Sequence, residues 1–285
     1  MSAGLSPNAG HDFAALEAAL SSAMEWWEAS GVPLGDVQRL TTRARRSSKS
    51  VATAASPSSP VIKRPATALA PAAAAEDALL LEARRIAAAP DVGTLQALLE
   101  DFRAHPLAKN ARMVFADGAP NASIMVVGEA PGAEEDRLGK PFVGPSGELL
   151  DKMLAAVGIS RARNAYITNV VHWRPPGNRN PEPVEIAFGR EIIRRHIELI
   201  APKCLILCGK VAVAGVLGLS DSIARLRSES LTHAINPQTS LPCFAIFHPS
   251  YLLRRPQDKA LMWADLLRME AQLTAEGILH AQSVA

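Results

Sequence analysis

The segment from Ser123 to Gly147, SIMVVGEAPGAEEDRLGKPFVGPSG, constrains the fold of this chain more than any other. An apolar run, Ile124 to Val127, stops at Gly128, and Glu129, Pro131 and Gly132 follow at once. A buried strand hands over to a loop in this way at the carboxyl edge of a parallel sheet, where open α/β folds place their ligands. The loop carries four carboxylates, Glu129, Glu134, Glu135 and Asp136, and a lone aromatic, Phe142, between Pro141 and Val143. Gly144-Pro145-Ser146-Gly147 then leads into a helical pattern at Leu149, Leu150, Met153 and Leu154. The spacing of a phosphate-binding loop is absent, and so many carboxylates repel a triphosphate. The ligand is of another kind.

Further strands read at Ala165 to Val170, Cys204 to Cys208 and Cys243 to Phe247, each short, apolar and rich in β-branched or aromatic residues. Helical patterns at 76–89, 93–103, 147–157, 183–200, 209–217 and 257–276 surround and separate them. Strands alternating with helices predict a parallel sheet covered on both faces.

Upstream, residues 12–29 place Phe13, Leu16, Leu20, Met24 and Trp27 at helical steps, so 1–40 reads as a region with an amphipathic helix. From 41 to 75 the composition turns to Ala, Ser, Pro and Thr, with Arg43, Arg45, Arg46, Lys49, Lys63 and Arg64 unopposed by acids. Such a stretch buries too little apolar surface to offset its ordering entropy and reads as a disordered basic linker. The globular domain is expected over 76–285. A formal charge of +2 identifies no partner. Cys204, Cys208 and Cys243 cannot pair completely, which argues against a disulfide framework and for a reducing cytoplasm. No apolar run is long enough for a membrane span.

Each of three strands ends in a polar residue suited to reading a small planar ligand: Glu129, Asn169 and His248, the last opening the run HPSYLLRR at 248–255. A strand-end asparagine is commonly a turn residue, and a lone histidine is commonly structural. Three such ends beside a loop carrying Phe142 argue for a site.

GEAPG at 128–132, EED at 134–136, GKPFVG at 139–144, YITNVV at 166–171, RPPGNRNP at 174–181 and HPSYLLR at 248–254 together resemble a family 4 uracil-DNA glycosylase. The resemblance covers about 105–270. It implies a three-layer α/β/α sandwich around a four-stranded parallel sheet, with a pocket for uracil flipped out of DNA, and an enzyme that leaves an abasic site and so starts base-excision repair. The implied uracil site comprises Glu129, Ala130, Pro131, Phe142, Asn169 and His248. Phe142 stacks on the ring, and the Asn169 amide accepts from N3–H and donates to O4. His248 donates to O2 of the leaving base, Glu129 handles the attacking water, and Glu135 is the first choice for excluding thymine's methyl. DNA contacts are expected from Ser146, Ser250, Arg254 and Arg255, with Leu252 or Leu253 as a wedge filling the gap left by the extruded base. The partner is uracil-containing DNA, single- or double-stranded, met by a monomer. The rivals are a glycosylase for a wider set of deaminated bases, and a sensor that binds or covalently traps uracil or abasic DNA without turnover.

The chain departs from that family in one place and from its wider relatives in two. Members usually hold a four-iron cluster on four cysteines, and the matching positions here are Phe102, His105, Trp173 and Gly189. Cys204 and Cys208 stand about 13 Å apart along one predicted strand, and Cys243 lies on another, so no cluster or other metal is expected. In the wider superfamily the water-activating acid stands one position later, at Ala130 here. Finally, 222–233, SIARLRSESLTH, has Arg225, Arg227 and His233 but lacks the basic run of relatives that trap the abasic sugar, which favours turnover.

Overall fold

The computed structural model describes residues 69–236 and 238–279. The amphipathic pattern at 12–29 and most of the basic stretch lie outside these residues. Helix α1 (Leu69–Ile86) begins inside the stretch read as linker, and α2 (Val92–Asp101) follows, its first turn capped by Asp91 accepting from the Thr94 amide at 2.8 Å.

Among the described residues, six strands form one sheet in the order β1-β3-β2-β4-β6-β5. Its centre is the expected parallel set, β3 (Ala165–Asn169), β2 (Ile124–Gly128), β4 (Cys204–Cys208) and β6 (Thr239–Ile246). Two antiparallel edges were not expected: β1 (Ala116–Gly118), which pairs with β3, and β5 (Leu231–Asn236), which pairs with β6. All residues of β2, β3 and β4 are buried, which is why these strands read as continuous apolar runs rather than as alternation.

Two helical layers cover the sheet. On one face α5 (Pro183–Ile200) packs against α1, α2 and α6 (Lys210–Leu217). Met125, Val127, Leu205, Leu207 and Ala245 meet Phe188, Ile192 and Val213 there. On the other, α4 (Pro145–Ala155) packs against α8 (Pro249–Arg254) and α9 (Lys259–Ala275). Proline at the first position of α4, α5 and α8 fits the helix start, where its missing N–H leaves no bond unmade. Two short helices, α3 (Ala133–Leu138) and α7 (Ile223–Leu226), lie in the connections. Among the described residues, no helix is long and apolar enough to cross a membrane.

Candidate active site

The carboxyl ends of β2, β3 and β6 open on one cavity of about 500 Å³. Gly128 is the register partner of Asn169, and the pairing runs past both strands through Val170 N–H to Gly128 O and Val171 N–H to Glu129 O, each 3.0 Å. That extension carries Glu129 to the cavity. A methyl group built on Gly128 would lie 2.3 Å from Asn169 Oδ1 and 2.5 Å from a ring carbon of Phe142. The amide and the aromatic ring therefore meet over a residue that has no side chain.

Phe142 is buried and takes a left-handed backbone, φ 52°. Its ring lies 5.7 Å from that of His248, the planes 29° apart. The helix behind it comes close: a Cβ on Gly147 would sit 1.9 Å from the Phe142 carbonyl oxygen, so only glycine fits the first turn of α4 there. Glu135 braces the same loop. Its carboxylate accepts from the amides of Gly132 at 3.1 Å and of Val143 and Gly144 at 3.0 Å.

His248 caps α8. Its Nδ1 accepts from the Ser250 amide at 3.2 Å and lies 2.8 Å from Ser250 Oγ. A backbone N–H can only donate, so Nδ1 carries no proton and the neutral ring bears it on Nε2. Burial, then the charge of Arg254, push the imidazole down to about 4 against the opposing pull of Glu135. The ring is thus a neutral donor at ordinary pH. Burial raises the Glu129 carboxyl, and Arg254 offsets part of the rise.

Ten of the residues singled out in the sequence line this cavity: Glu129, Ala130, Pro131, Glu135, Phe142, Ser146, Asn169, His248, Ser250 and Arg254. Three do not. Leu252 is fully buried in the core, so it does not fit the expected wedge, whereas Leu253 beside it is 44% exposed. Arg255 is not among the lining residues and pairs with Asp258 at 3.7 Å. Ser250 is only in part a surface group, since both its amide and its hydroxyl are engaged with His248. From the RPPGNRNP segment at 174–181, Asn178, Arg179 and Asn180 line the cavity, but the Arg179 fork is spent on the buried carboxylate of Glu185 at 2.7 and 2.9 Å. Tyr251 was missed, and so was the capping bond of His248, since histidine is not a usual cap and only Pro249 at the first helical position marks the helix start.

The model of the "Uracil DNA glycosylase superfamily" matches residues 115–267, which contain every lining residue. The chain belongs to the uracil DNA glycosylase superfamily. It is 38% identical over 144 residues to the type-4 uracil-DNA glycosylase of Archaeoglobus fulgidus, covering 49% of this chain and 71% of that protein. To the type-4 enzyme of Thermotoga maritima it is 35% identical over 168 residues, 58% of this chain and 85% of that protein. A DNA polymerase of Bacillus phage SP01 matches at 29% identity over 157 residues, 55% of this chain but only 16% of that protein.

The four-iron cluster implied by the family resemblance does not fit the residues found at its matching positions. Trp173 is fully buried and stacks on His105 at 4.7 Å, Phe102 stacks on Phe188 at 5.6 Å, and Phe188 meets His105 edge-on at 4.8 Å. A Cβ at Gly189 would lie 2.2 Å from the Val170 carbonyl oxygen, which leaves no room for a thiolate. The three cysteines are buried on β4 and β6, and burial raises each thiol, that of Cys243 to about 12. Among the described residues, no group of three or more His, Cys, Asp or Glu side chains is arranged to hold a metal ion.

Proposed function

We propose that the protein is a monofunctional uracil-DNA glycosylase, which hydrolyses the N-glycosidic bond of a flipped-out uracil and so initiates base-excision repair. One observation carries the reading: an aromatic plate, a free amide and a neutral imidazole donor, brought from three separate strand ends, face a single cavity with a carboxylate at its edge. Extruding a base costs a few kcal/mol, and in this reading Leu253, exposed on α8, fills the gap. Phe142 stacks on the ring, a contact worth about 1–3 kcal/mol.

Stacking holds any base, so the amide of Asn169 discriminates. It accepts from N3–H and donates to O4, whereas cytosine reverses both groups and leaves buried polar atoms unpaired. Thymine is excluded by shape. The Glu135 carboxylate, tied to three backbone amides, cannot swing aside for a methyl group. As the bond breaks, charge develops on O2 of the base, and the Nε2–H of His248 meets it already oriented, without reorganisation. Glu129 positions the attacking water and favours the cationic sugar. Arg254 and Ser146, at the rim, contact phosphate.

The reading includes no iron cluster, supported by the aromatic packing at its matching positions. A covalent trap finds no support: Arg225 pairs with Asp221 and Glu229, Arg227 with Asp265, and His233 of β5 bonds to the backbone of Val216 in α6, none of them in the cavity lining. The test is incubation of the protein with single- and double-stranded uracil oligonucleotides, then alkali. Product in excess of enzyme is expected, and His248→Ala lowers the single-turnover rate about 10²–10³-fold. A stoichiometric complex without release, or an unchanged rate in the variant, overturns the reading.

A further inference from the structure

Phe142 holds a backbone conformation that residues other than glycine rarely adopt, with φ at 52°. Bonds to the loop on either side of it must hold it there. On the amide side of the loop this is Glu135, through Val143 and Gly144. On the carbonyl side it is Arg161, from the turn before β3: Nη2 donates to Phe142 O at 2.8 Å and Nη1 to Pro141 O at 3.2 Å. Arg161 is itself held. Its Nη1 meets Asp117 of β1 at 2.9 Å, and its Nε and Nη2 meet Asp151 of α4 at 3.1 and 3.0 Å. These bonds use all five N–H donors of the guanidinium, whose plane ties the edge strand, the helix and the loop together. Arg161, Asp117 and Asp151 are absent from the cavity lining.

We infer that Arg161 is a positioning residue, which sets the angle of the Phe142 ring over the base from behind the loop. The inference rests on the glycosylase reading for its kinetic effect but not for its geometry. Lysine cannot replace the fork, because a single ammonium cannot span two carbonyls and two carboxylates at once.

The experiment compares wild type with Arg161→Lys, Arg161→Ala, Phe142→Ala and the double variant Arg161→Ala/Phe142→Ala, in single-turnover excision of uracil. Displacing a positioned group by about 1 Å can cost on the order of 10²-fold in rate. Arg161→Lys and Arg161→Ala are therefore expected to be about 10- to 100-fold slow, with the half-saturating enzyme concentration within about twofold of wild type, since Leu253 and Arg254 are untouched. Methylguanidinium is expected to restore part of the rate to Arg161→Ala. The double variant is expected to be no slower than Phe142→Ala, because Arg161 then has nothing left to position. Multiplying effects in the double variant, or wild-type speed in Arg161→Lys, overturns the inference.

A second readout needs no excision. The amide NMR resonances of Val143 and Gly144 should shift in Arg161→Lys and stay in place in Arg163→Lys, a change at an exposed neighbour. Unmoved resonances refute the positioning role even in a protein that does not cleave, while absence of cleavage by wild type refutes the glycosylase reading alone.

Discussion

Gly128→Ala adds one carbon at the point where the base-reading groups meet. That carbon would lie 2.3 Å from Asn169 Oδ1 and 2.5 and 2.6 Å from two ring carbons of Phe142. Unstrained carbon contacts begin near about 3.5 Å, so the ring must retreat by about 1 Å. It has little freedom to do so, being buried, with its carbonyl tied to Arg161 and the next two amides to Glu135. Overpacking of this kind costs about 1–3 kcal/mol, or roughly 2–12 °C in Tm for a domain of this size. The same 1 Å falls on the stacking plate and the discriminating amide, where it can cost about 10²-fold in rate. Thermal denaturation and single-turnover excision on one preparation should show a folded protein, modestly less stable and about a hundredfold slower. Excision within about threefold of wild type would refute the claim that the bare glycine is what lets the plate and the amide meet.

Other outcomes follow from the same geometry. Leu252→Ala should cost about 2–5 kcal/mol of stability, as for other fully buried leucines, whereas Leu253→Ala should leave denaturation unchanged and weaken excision from duplex DNA; the reverse pattern would reassign the wedge. Asn169→Asp should admit cytosine at a measurable rate, followed on a cytosine oligonucleotide, and complete refusal would argue against direct reading by the amide. Stability should fall on acidification between about pH 6.5 and 4. Burial holds His105, His172 and His248 at about 4 and His196 at about 3, so below 6.5 the unfolded chain binds protons that the folded one refuses. Each such histidine contributes up to about 1.4 kcal/mol per pH unit; His233, lowered by burial, acts in the same direction, and Glu129 and Glu270, raised by burial, oppose them as the smaller set. Urea midpoints at pH 7.5 and 5.0 test this, and equal midpoints would refute it.

Much of this arrangement is legible in the chain because it is locally encoded. Helix α5 is bounded as expected at Pro183 and Ile200, and β4 at its two cysteines, since their periodicity and punctuation agree. The edges are less legible. Three residues suffice for β1 only because β3 pairs with them, and β5 alternates half-buried Leu231, His233 and Ile235 with exposed neighbours, a pattern that a search for trapping-loop residues passes over. In the site, residue types announce the chemistry but not the orientation. Leu252 and Leu253 are equivalent as letters, yet neighbours on a helix point about 100° apart, and packing decides which one is buried. Arg161 is invisible for another reason: its acceptors at Asp117 and Phe142 lie 44 and 19 residues away.

The six-residue helix α8 carries His248 at its cap and Leu253 near its end, and Leu252 between them anchors the turn in the core. Under the proposed function, entry of Leu253 into the duplex and presentation of the His248 donor are coupled through this one short helix. On that reading, an intact helix of DNA that refuses the leucine would also keep the imidazole at a distance, so undamaged sequence would be protected by leverage before any base is inspected.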